Sequence, residues 1–241
     1  MKLLCKFLFL FILALNMVSC TEEVQTLPYM GYEYFPDSTG HYVTYRVDSI
    51  WTDDVFDRKD TFVFKMKERI ESKFLDAEVP ARPSQRLERF KHDLDSTPFI
   101  FSDISDVWFA TRTTARAEKV EENVRYVKLI FPLQNNEEWN GNAFNTEEDF
   151  DIDYKMINVH QPFTVPVTNI EFDSTVTVLQ INWQPLFDYR IYSIEVYAKN
   201  IGLVYKHYYE IDYQLDSQQN PPDTVLYGAE YKYYYMESGY E

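Results

Sequence analysis

Alternation of apolar and polar residues recurs along this chain and constrains its fold more than any other feature. The clearest case is the segment 149–156, in which acidic residues and a lysine alternate with aromatic and aliphatic ones. The segments 43–48, 62–67 and 203–213 repeat the pattern. Successive side chains of a β-strand point to opposite faces, so this period predicts strands with one buried face and one wet face. Antiparallel sheets carry such strands most often.

Turn signals separate the alternating segments. Asn140-Gly141 suits a two-residue type I′ hairpin, Asn200-Ile201-Gly202 separates two strands, and Asn220-Pro221-Pro222-Asp223 precedes the last one. Within 82–94 a strand through Gln85–Phe90 is preferred, and a short helix is the alternative. We predict an all-β chain with a single domain, a meandering antiparallel sheet curved toward a barrel or half-barrel. A two-sheet β-sandwich is the alternative.

The N-terminus has the pattern of an export signal. The apolar run Phe7–Leu15 follows two lysines; it is too short to span a bilayer but fits the core of a signal peptide. Small residues then precede Cys20, as in bacterial lipoproteins. We predict a signal peptide at 1–19, a lipidated cysteine and tether at 20–28, and a β-rich domain at 29–241. The alternative is an ordinary secretory signal that leaves Cys20 as a free thiol.

Cysteine content and charge exclude several classes of protein. The chain has 2 cysteines, Cys5 in the signal and Cys20, so the mature body after Cys20 offers no disulfide, thiolate metal site or cysteine nucleophile. Without the signal, 21 basic residues face 39 acidic ones. Such a surface repels nucleic acid, and no nucleic-acid partner is expected. Neutral glycans and cationic partners remain compatible with it.

No catalytic or metal-binding motif is found in the sequence. The 4 histidines lack a paired helical metal spacing, and no serine lies in a glycine-flanked nucleophile motif. We therefore predict no enzyme activity and no cofactor. The acidic run 147–153 offers oxygen ligands for calcium, but it lacks the glycine and the final glutamate of a helix-loop-helix calcium site. Its alternation indicates the wet face of a strand, so no metal site is predicted.

Crowded tyrosines suggest one candidate binding surface. Tyr233 and Tyr234 lie among further tyrosines on one predicted strand, so both faces of that strand carry aromatic rings. With Trp51 and Trp139 they are our candidate platform for stacking against sugar rings. The alternative is cross-strand aromatic pairing that stiffens the sheet, or a second face packed against another layer. Trp139 is also expected to anchor the hairpin at Asn140-Gly141.

Several short strings stand out in order along the mature chain. They include Tyr34-Phe35-Pro36, Val127-Lys128-Leu129, Trp139-Asn140-Gly141-Asn142, Glu195-Val196-Tyr197-Ala198-Lys199 and Tyr205-Lys206. These strings resemble those of an uncharacterised family of β-rich lipoproteins of the Bacteroidota. The resemblance implies a lipid-anchored envelope protein with a single β-rich unit and implies no mechanism. In that phylum, acidic residues directly after the lipidated cysteine resemble a signal for transport to the cell surface. Thr21-Glu22-Glu23 matches this pattern in part.

Two classes of function follow from these patterns. The first is a non-catalytic lipoprotein, held in the outer membrane by lipid on Cys20 and facing the cell surface or the periplasm, that binds a glycan or an envelope protein. The second is a carrier that encloses an apolar ligand in the mouth of its curved sheet. An anchored glycan hydrolase is a third alternative, because two carboxylates far apart in sequence can meet in the fold.

The lipid anchor makes a direct prediction. Replacing Cys20 with Ala removes the thiol that would carry the diacylglyceryl group, so the variant should move from the membrane fraction to the soluble fraction. Cell fractionation with an antibody against the mature chain measures this, and Cys5→Ala is the matched control. Membrane retention of the Cys20→Ala protein would contradict the lipoprotein assignment.

Overall fold

The structure is a computed structural model that describes residues 28–77, 81–95, 104–145, 153–186, 188–213 and 225–241. Four sequence predictions fall wholly or partly outside these ranges: the signal peptide, the lipidated Cys20 with its tether up to residue 27, the acidic run before Asp153, and the turn at 220–223.

The described residues form twelve β-strands. They are β1 (His41–Asp53), β2 (Arg58–Asp76), β3 (Arg82–Asp93), β4 (Ile104–Arg112), β5 (Arg116–Glu121), β6 (Val124–Ile130), β7 (Glu138–Asn140), β8 (Asp153–Thr164), β9 (Glu171–Leu186), β10 (Tyr189–Ala198), β11 (Gly202–Tyr213) and β12 (Val225–Tyr240). Short 3₁₀ helices occupy Tyr32–Tyr34 and Asp54–Phe56. Within these ranges, no helix has the length and apolar character needed to cross a bilayer.

All twelve strands belong to one antiparallel sheet. Their order is β6-β5-β4-β3-β2-β1-β12-β11-β10-β9-β8-β7, so neighbours in the sheet are neighbours in sequence except where β1 pairs with β12. Two meanders therefore meet at the β1–β12 pair. The sheet curls until it is nearly closed into a barrel. The all-β prediction of a meandering sheet curved toward a barrel is confirmed, and the β-sandwich alternative is wrong.

The short connection between the two edge strands explains the curling. Residues 131–137 alone join the end of β6 to the start of β7. An extended chain of that length reaches about 25–30 Å. A flat sheet of twelve strands would hold its edges about 53 Å apart, at about 4.8 Å for each neighbouring pair. The sheet must therefore roll up to bring β6 and β7 within reach of this connection.

Hydrogen bonds from side chains and one backbone pair complete the barrel along the seam between β6 and the segment around β7. The Arg125 N–H donates to Asn145 Oδ1 at 3.2 Å, and Asn145 Nδ2 donates to the Arg125 carbonyl at 3.0 Å. The Val127 N–H donates to the Gly141 carbonyl at 2.9 Å, and the indole N–H of Trp139 donates to the Val127 carbonyl at 2.8 Å. An amide and an indole thus satisfy edge groups that would otherwise be unpaired.

The predicted type I′ hairpin at Asn140-Gly141 is wrong. Asn140 pairs with Asp153 in the register of β7 and β8, so the connection runs from residue 141 to residue 152. Gly141 does not have a positive φ, and its small size serves packing: an added Cβ would lie 2.3 Å from the Tyr154 ring. Trp139 correspondingly anchors the seam and packs against the barrel core, and it does not anchor a tight turn.

Two local predictions are confirmed. Gln85–Phe90 lies inside β3, so the strand is formed there and the helical alternative is wrong. The turn at Asn200-Ile201-Gly202 joins β10 to β11. Asn200 has a φ of 65° and Gly202 a φ of 93°, which are left-handed values that asparagine and glycine adopt more readily than other residues.

The segment around the first 3₁₀ helix closes one end of the barrel, and we call residues 28–36 the plug. Tyr34 is fully buried, and its hydroxyl forms hydrogen bonds with His160 Nδ1 at 2.8 Å and Ser174 Oγ at 2.6 Å. Tyr34 and Phe35 belong to the largest hydrophobic cluster. Other members of the cluster are Ile70, Leu87, Leu129, Met156, Val176, Val178 and Tyr197. The core thus fills the plugged end of the barrel.

The seam makes a prediction about stability. Asn145→Ala removes both hydrogen bonds to Arg125, and we expect the free energy of unfolding to fall by about 1–3 kcal/mol. Asn182→Ala, at an exposed position of β9, is the control and should change it by about 0.5 kcal/mol or less. Urea unfolding measures both, and amide hydrogen exchange should quicken at Arg125 in the first variant. Equal stabilities of the two variants would contradict this role for Asn145.

Candidate binding cup

The end of the barrel opposite the plug opens into a cavity of about 1190 Å³, which we call the cup. Its walls come from β5, β6, β8–β12 and the segment 142–145 after β7. Small-molecule sites have volumes of about 300–1,000 Å³, so the cup is large enough for a ligand of several rings.

Aromatic rings form much of the cup wall. They are Tyr126, Phe144, Tyr154, Trp183, Tyr189, Tyr208, Tyr231 and Tyr233. Those nearest the mouth are open to solvent: Trp183 is 48% exposed, Phe144 42% and Tyr231 40%. Tyr154, deeper in the cup, is 5% exposed. The cup therefore presents accessible aromatic surface at its entrance and buried rings below.

Hydrogen bonds fix the rings on one side of the mouth. The Tyr189 and Tyr208 hydroxyls both donate to the Glu210 carboxylate, at 2.7 and 2.8 Å. Burial and the hydrogen bond to Glu210 raise the pKa of both phenols, so they remain protonated donors at neutral pH. Trp183 meets the Tyr189 ring edge to face at 5.9 Å, and Tyr208 stacks on Tyr231 at 6.1 Å. The entrance is thus preorganised on this side.

A cluster of four charged residues, Glu121, Lys128, Glu195 and Lys206, lies at the bottom of the cup, and we call it the charged floor. Glu121, Lys128 and Lys206 line the cup, whereas Glu195 lies beneath them and lines a smaller space below. Lys128 Nζ lies 3.0 Å from a carboxylate oxygen of Glu121 and 3.0 Å from one of Glu195. Lys206 Nζ lies 3.2 Å from Glu195 and 3.9 Å from Glu121. Two carboxylates and two ammonium groups alternate in this cluster, so it has no net charge.

The floor residues hold one another in the ionised state. Burial raises the pKa of the Glu195 carboxyl, but the Lys128 and Lys206 ammonium groups outweigh burial and hold it well below its usual value. The same two lysines, with Lys119, hold the pKa of Glu121 well below its usual value despite its burial. Burial lowers the pKa of Lys128, and the carboxylates of Glu121 and Glu195 outweigh that effect and raise it.

A second, smaller space lies between the floor and the plug. Its volume is about 80 Å³, and Phe35 and Pro36 of the plug line it. It shares Glu121, Lys206 and Tyr233 with the cup, so these residues separate the two spaces. A space of this size holds a few water molecules. Below these residues the cup therefore meets only this narrow space.

Another group of polar side chains surrounds this inner space. Lys119 Nζ lies 2.7 Å from Glu68, and the Arg89 guanidinium stacks 3.6 Å from the centre of the Trp108 ring. Arg89 also donates to the Tyr233 hydroxyl at 3.3 Å. Tyr233 is thus held from below by a buried cation, while its ring lines the cup.

Strand alternation explains which residues face the cup. Lys206, Tyr208 and Glu210 on β11 line it, and so do Tyr231 and Tyr233 on β12. The intervening residues point outward; for example, His207 forms a hydrogen bond with Glu230 on the outer face. Because side chains alternate between the two faces of a strand, one residue known to face the cup identifies the others on that strand.

The structure separates the two predicted stacking tyrosines. Tyr233 lines the cup, whereas Tyr234 lies on the outer face in a cluster with Val165, Val196 and Val204. Tyr234 is 6% exposed, because residues of the β8–β9 hairpin cover that face. Tyr233 and Tyr234 are successive residues of a regular part of β12, so their side chains point to opposite faces of the sheet.

The two predicted stacking tryptophans lie elsewhere. Trp139 is part-buried at the seam, with its ring 6.0 Å from Tyr154. Trp51 is on β1 outside the cup lining, where its ring meets Tyr227 edge to face at 6.3 Å and the Arg58 guanidinium lies 5.3 Å from its centre. The four residues named from sequence do not form one platform, and ligand stacking by any of them stays a prediction.

Sequence reasoning missed Trp183 and the charged floor. A signal for the floor was present, because Lys128 and Glu195 each interrupt an apolar run, as in Val127-Lys128-Leu129 and Ile194-Glu195-Val196. Lys128, Glu195 and Lys206 also lie within the strings that carry the family resemblance. No comparable signal distinguishes Trp183 from other half-exposed aromatic residues.

The carboxylates and histidines of the described ranges form no group of three or more suited to a metal ion. Asp153, the only described member of the acidic run, is exposed at the start of β8.

Comparisons with known proteins give little further guidance. No family model matches the chain, and no curated protein matches it. A solved structure from Bacteroides fragilis, described as a "putative exported protein with YmcC-like fold", is similar at 12% identity and a TM-score of 0.42. The similarity covers 85% of this chain and 98% of that chain. At this level it supports no conclusion about function.

The charged floor makes a prediction about stability. Lys128→Met leaves two buried carboxylates short of a counter-ion, and we expect the free energy of unfolding to fall by about 3–5 kcal/mol. Lys155→Met removes an exposed pair with Glu138 and should change it by about 1 kcal/mol or less. Urea unfolding at pH 7 compares the two variants. A loss below about 1 kcal/mol for Lys128→Met would contradict the central role of this lysine.

Proposed function

We propose that this protein is a non-catalytic envelope lipoprotein, anchored through Cys20, that binds a glycan in its cup. The observation that carries the proposal is the cup itself, with exposed aromatic rings at the mouth above a floor of alternating carboxylates and ammonium groups. Sugar rings have apolar faces and polar edges. Aromatic side chains can cover the former while charged and amide groups form hydrogen bonds with the latter.

The composition of the wall favours a glycan over an apolar ligand. Among the described lining residues, Val124, Ile181 and Ile191 are aliphatic, whereas aromatic residues number eight. Hydroxyl, amide and charged side chains make up the rest. An apolar ligand would leave the buried charges of the floor in contact with hydrocarbon, which is costly. A carrier of such a ligand would need a wall richer in leucine, valine and isoleucine.

The electrostatics of the floor favour binding over hydrolysis. A glycosidase needs one carboxylic acid that is protonated at working pH, and its pKa is therefore raised. Glu121 and Glu195 have lowered pKa values instead, because Lys128 and Lys206 neutralise them. These two carboxylates cannot donate the proton that a leaving sugar requires.

The direction of the cup suits a ligand that arrives from water. The plug lies at the closed end, and only residues 21–27 separate it from Cys20, so the distance from Cys20 to residue 28 is at most about 28 Å. A lipid on Cys20 would therefore hold the closed end toward the membrane. The mouth, at the other end of the barrel, would open away from the bilayer, where polysaccharide is accessible and membrane lipid is not.

A pair of tryptophans allows a matched test. Trp183→Ala removes the most exposed ring of the cup wall and should lower glycan affinity at least tenfold, which is about 1.4 kcal/mol. Trp51→Ala removes a ring outside the cup and should leave the affinity within twofold. Screening the detergent-solubilised protein on a glycan array, followed by calorimetric titration with the best-bound oligosaccharide, measures both. Absence of glycan binding, or equal losses in the two variants, would contradict the proposal.

A further inference from the structure

The depth and closure of the cup limit how a chain-like ligand can enter. The floor separates the cup from the inner space of about 80 Å³, and the plug closes the barrel behind that space. A polysaccharide therefore cannot thread through the barrel. A segment from the middle of a chain would need an open groove with two exits, and the floor leaves the cup with one.

The floor is matched to hydroxyl groups. Its neighbouring carboxylates and ammonium groups offer acceptors and donors side by side, and a sugar hydroxyl both donates and accepts. The charged residues that line the cup are three acids, Glu121, Glu122 and Glu210, and two bases, Lys128 and Lys206. A ligand carboxylate that approached either lysine would therefore also meet Glu121, which lies beside both. A ligand ammonium would meet the opposite conflict. An uncharged polyol avoids both.

Lys206 is the floor residue best placed to contact a ligand. Its side chain is 20% exposed, against 15% for Glu121, 3% for Lys128 and 1% for Glu195. Its contacts with the carboxylates, at 3.2 and 3.9 Å, are also longer than the 3.0 Å contacts of Lys128. An ammonium group has three donors, so Lys206 can keep its contact with Glu195 and donate to a ligand hydroxyl.

The wall near the floor carries a second polar signal. Gln180 and Ser193 line the cup, and the Ser193 hydroxyl donates to Gln180 Oε1 at 2.7 Å. Gln180 is 5% exposed, and its Nε2 has no hydrogen-bond partner among the described residues. If the amide is turned over, the oxygen takes the unpaired place instead. Buried amide atoms are normally paired, so this amide is an unusual polar group in the wall beside the floor.

We infer that the cup recognises the end of an uncharged glycan chain, with the terminal sugar on the charged floor near Lys206 and the preceding sugars against the aromatic rings of the mouth. The inference rests on the proposed function and specifies it further. It assigns to Lys206 the contact with the terminal hydroxyls, and to Trp183 and Tyr231 the contact with sugars farther from the end.

Oligosaccharides with altered ends test this inference. The probes are cellohexaose, maltohexaose, laminarihexaose and α-1,6-mannohexaose. Each is used in four forms: unmodified, reduced to the alditol at the reducing end, capped as the benzylidene acetal of the terminal sugar at the non-reducing end, and changed at both ends. Titration of the detergent-solubilised protein should show binding of at least one free hexasaccharide. Changing the inserted end should lower its affinity at least tenfold, whereas changing the other end should leave it within twofold.

The outcomes separate the two levels of the proposal. Binding of none of the four hexasaccharides overturns the proposed function and this inference together. Binding that stays within twofold when both ends are changed shows a side-on mode and overturns the inference alone. Hexagalacturonate, a charged chain of the same length, should bind at least tenfold more weakly than the best neutral probe. Equal or tighter binding overturns the assignment to uncharged chains.

A pair of lysine variants tests the role of Lys206. Lys206→Met should lower affinity for the best neutral probe at least tenfold, and Lys206→Arg should restore part of it. Lys232→Met, on the outer face beside Glu230, is the control and should stay within twofold. Thermal unfolding shows whether each variant is folded. The probes with altered ends are titrated against the unmodified protein, so that test does not depend on the folding of any variant. Unchanged affinity in folded Lys206→Met would overturn the role of this residue.

Discussion

The seven-residue connection between β6 and β7 is the constraint on which the rest of the structure depends. It ties together the two edges of a twelve-stranded sheet, so that the sheet must roll up. Rolling creates an inside, and strand alternation then assigns every second residue to it. The plug fills one end of that interior and the cup occupies the other. Without this short connection the same strands could form an open sheet with no cavity.

The interior differs from an ordinary hydrophobic core in carrying paired charges at its middle. Lys128 bridges Glu121 and Glu195, which come from β5 and β10 on different sides of the barrel. Well-packed apolar residues often stabilise a protein as much as a buried ion cluster does. Stability alone therefore does not account for the floor, whereas a polar surface at the base of an aromatic cup suits the proposed binding of a glycan.

Local features of this chain were predictable from sequence, and distant ones were not. Strand type follows from alternation within a few residues, so the strand at Gln85–Phe90 and the turn at Asn200-Ile201-Gly202 were identified. The prediction of a tight hairpin at Asn140-Gly141 was wrong because Asn140 pairs with Asp153. The turn residues themselves do not specify that register. Lys128 and Glu195 are 67 positions apart, and only closure of the barrel brings them together. The crowded tyrosines indicated aromatic faces but not which face encloses the cup.

The seam gives the barrel one side that differs mechanically from the others. Continuous backbone ladders join the strands elsewhere, whereas a few bonds to Asn145, Gly141 and Trp139 join β6 to the segment opposite. Regions with fewer backbone hydrogen bonds open locally at lower free energy than the rest of a protein. Val124 and Tyr126 of β6 line the cup beside this seam. The cup therefore has one wall that opens at lower free energy than the others, which would let its width adjust to the proposed ligand while the paired strands stay in register.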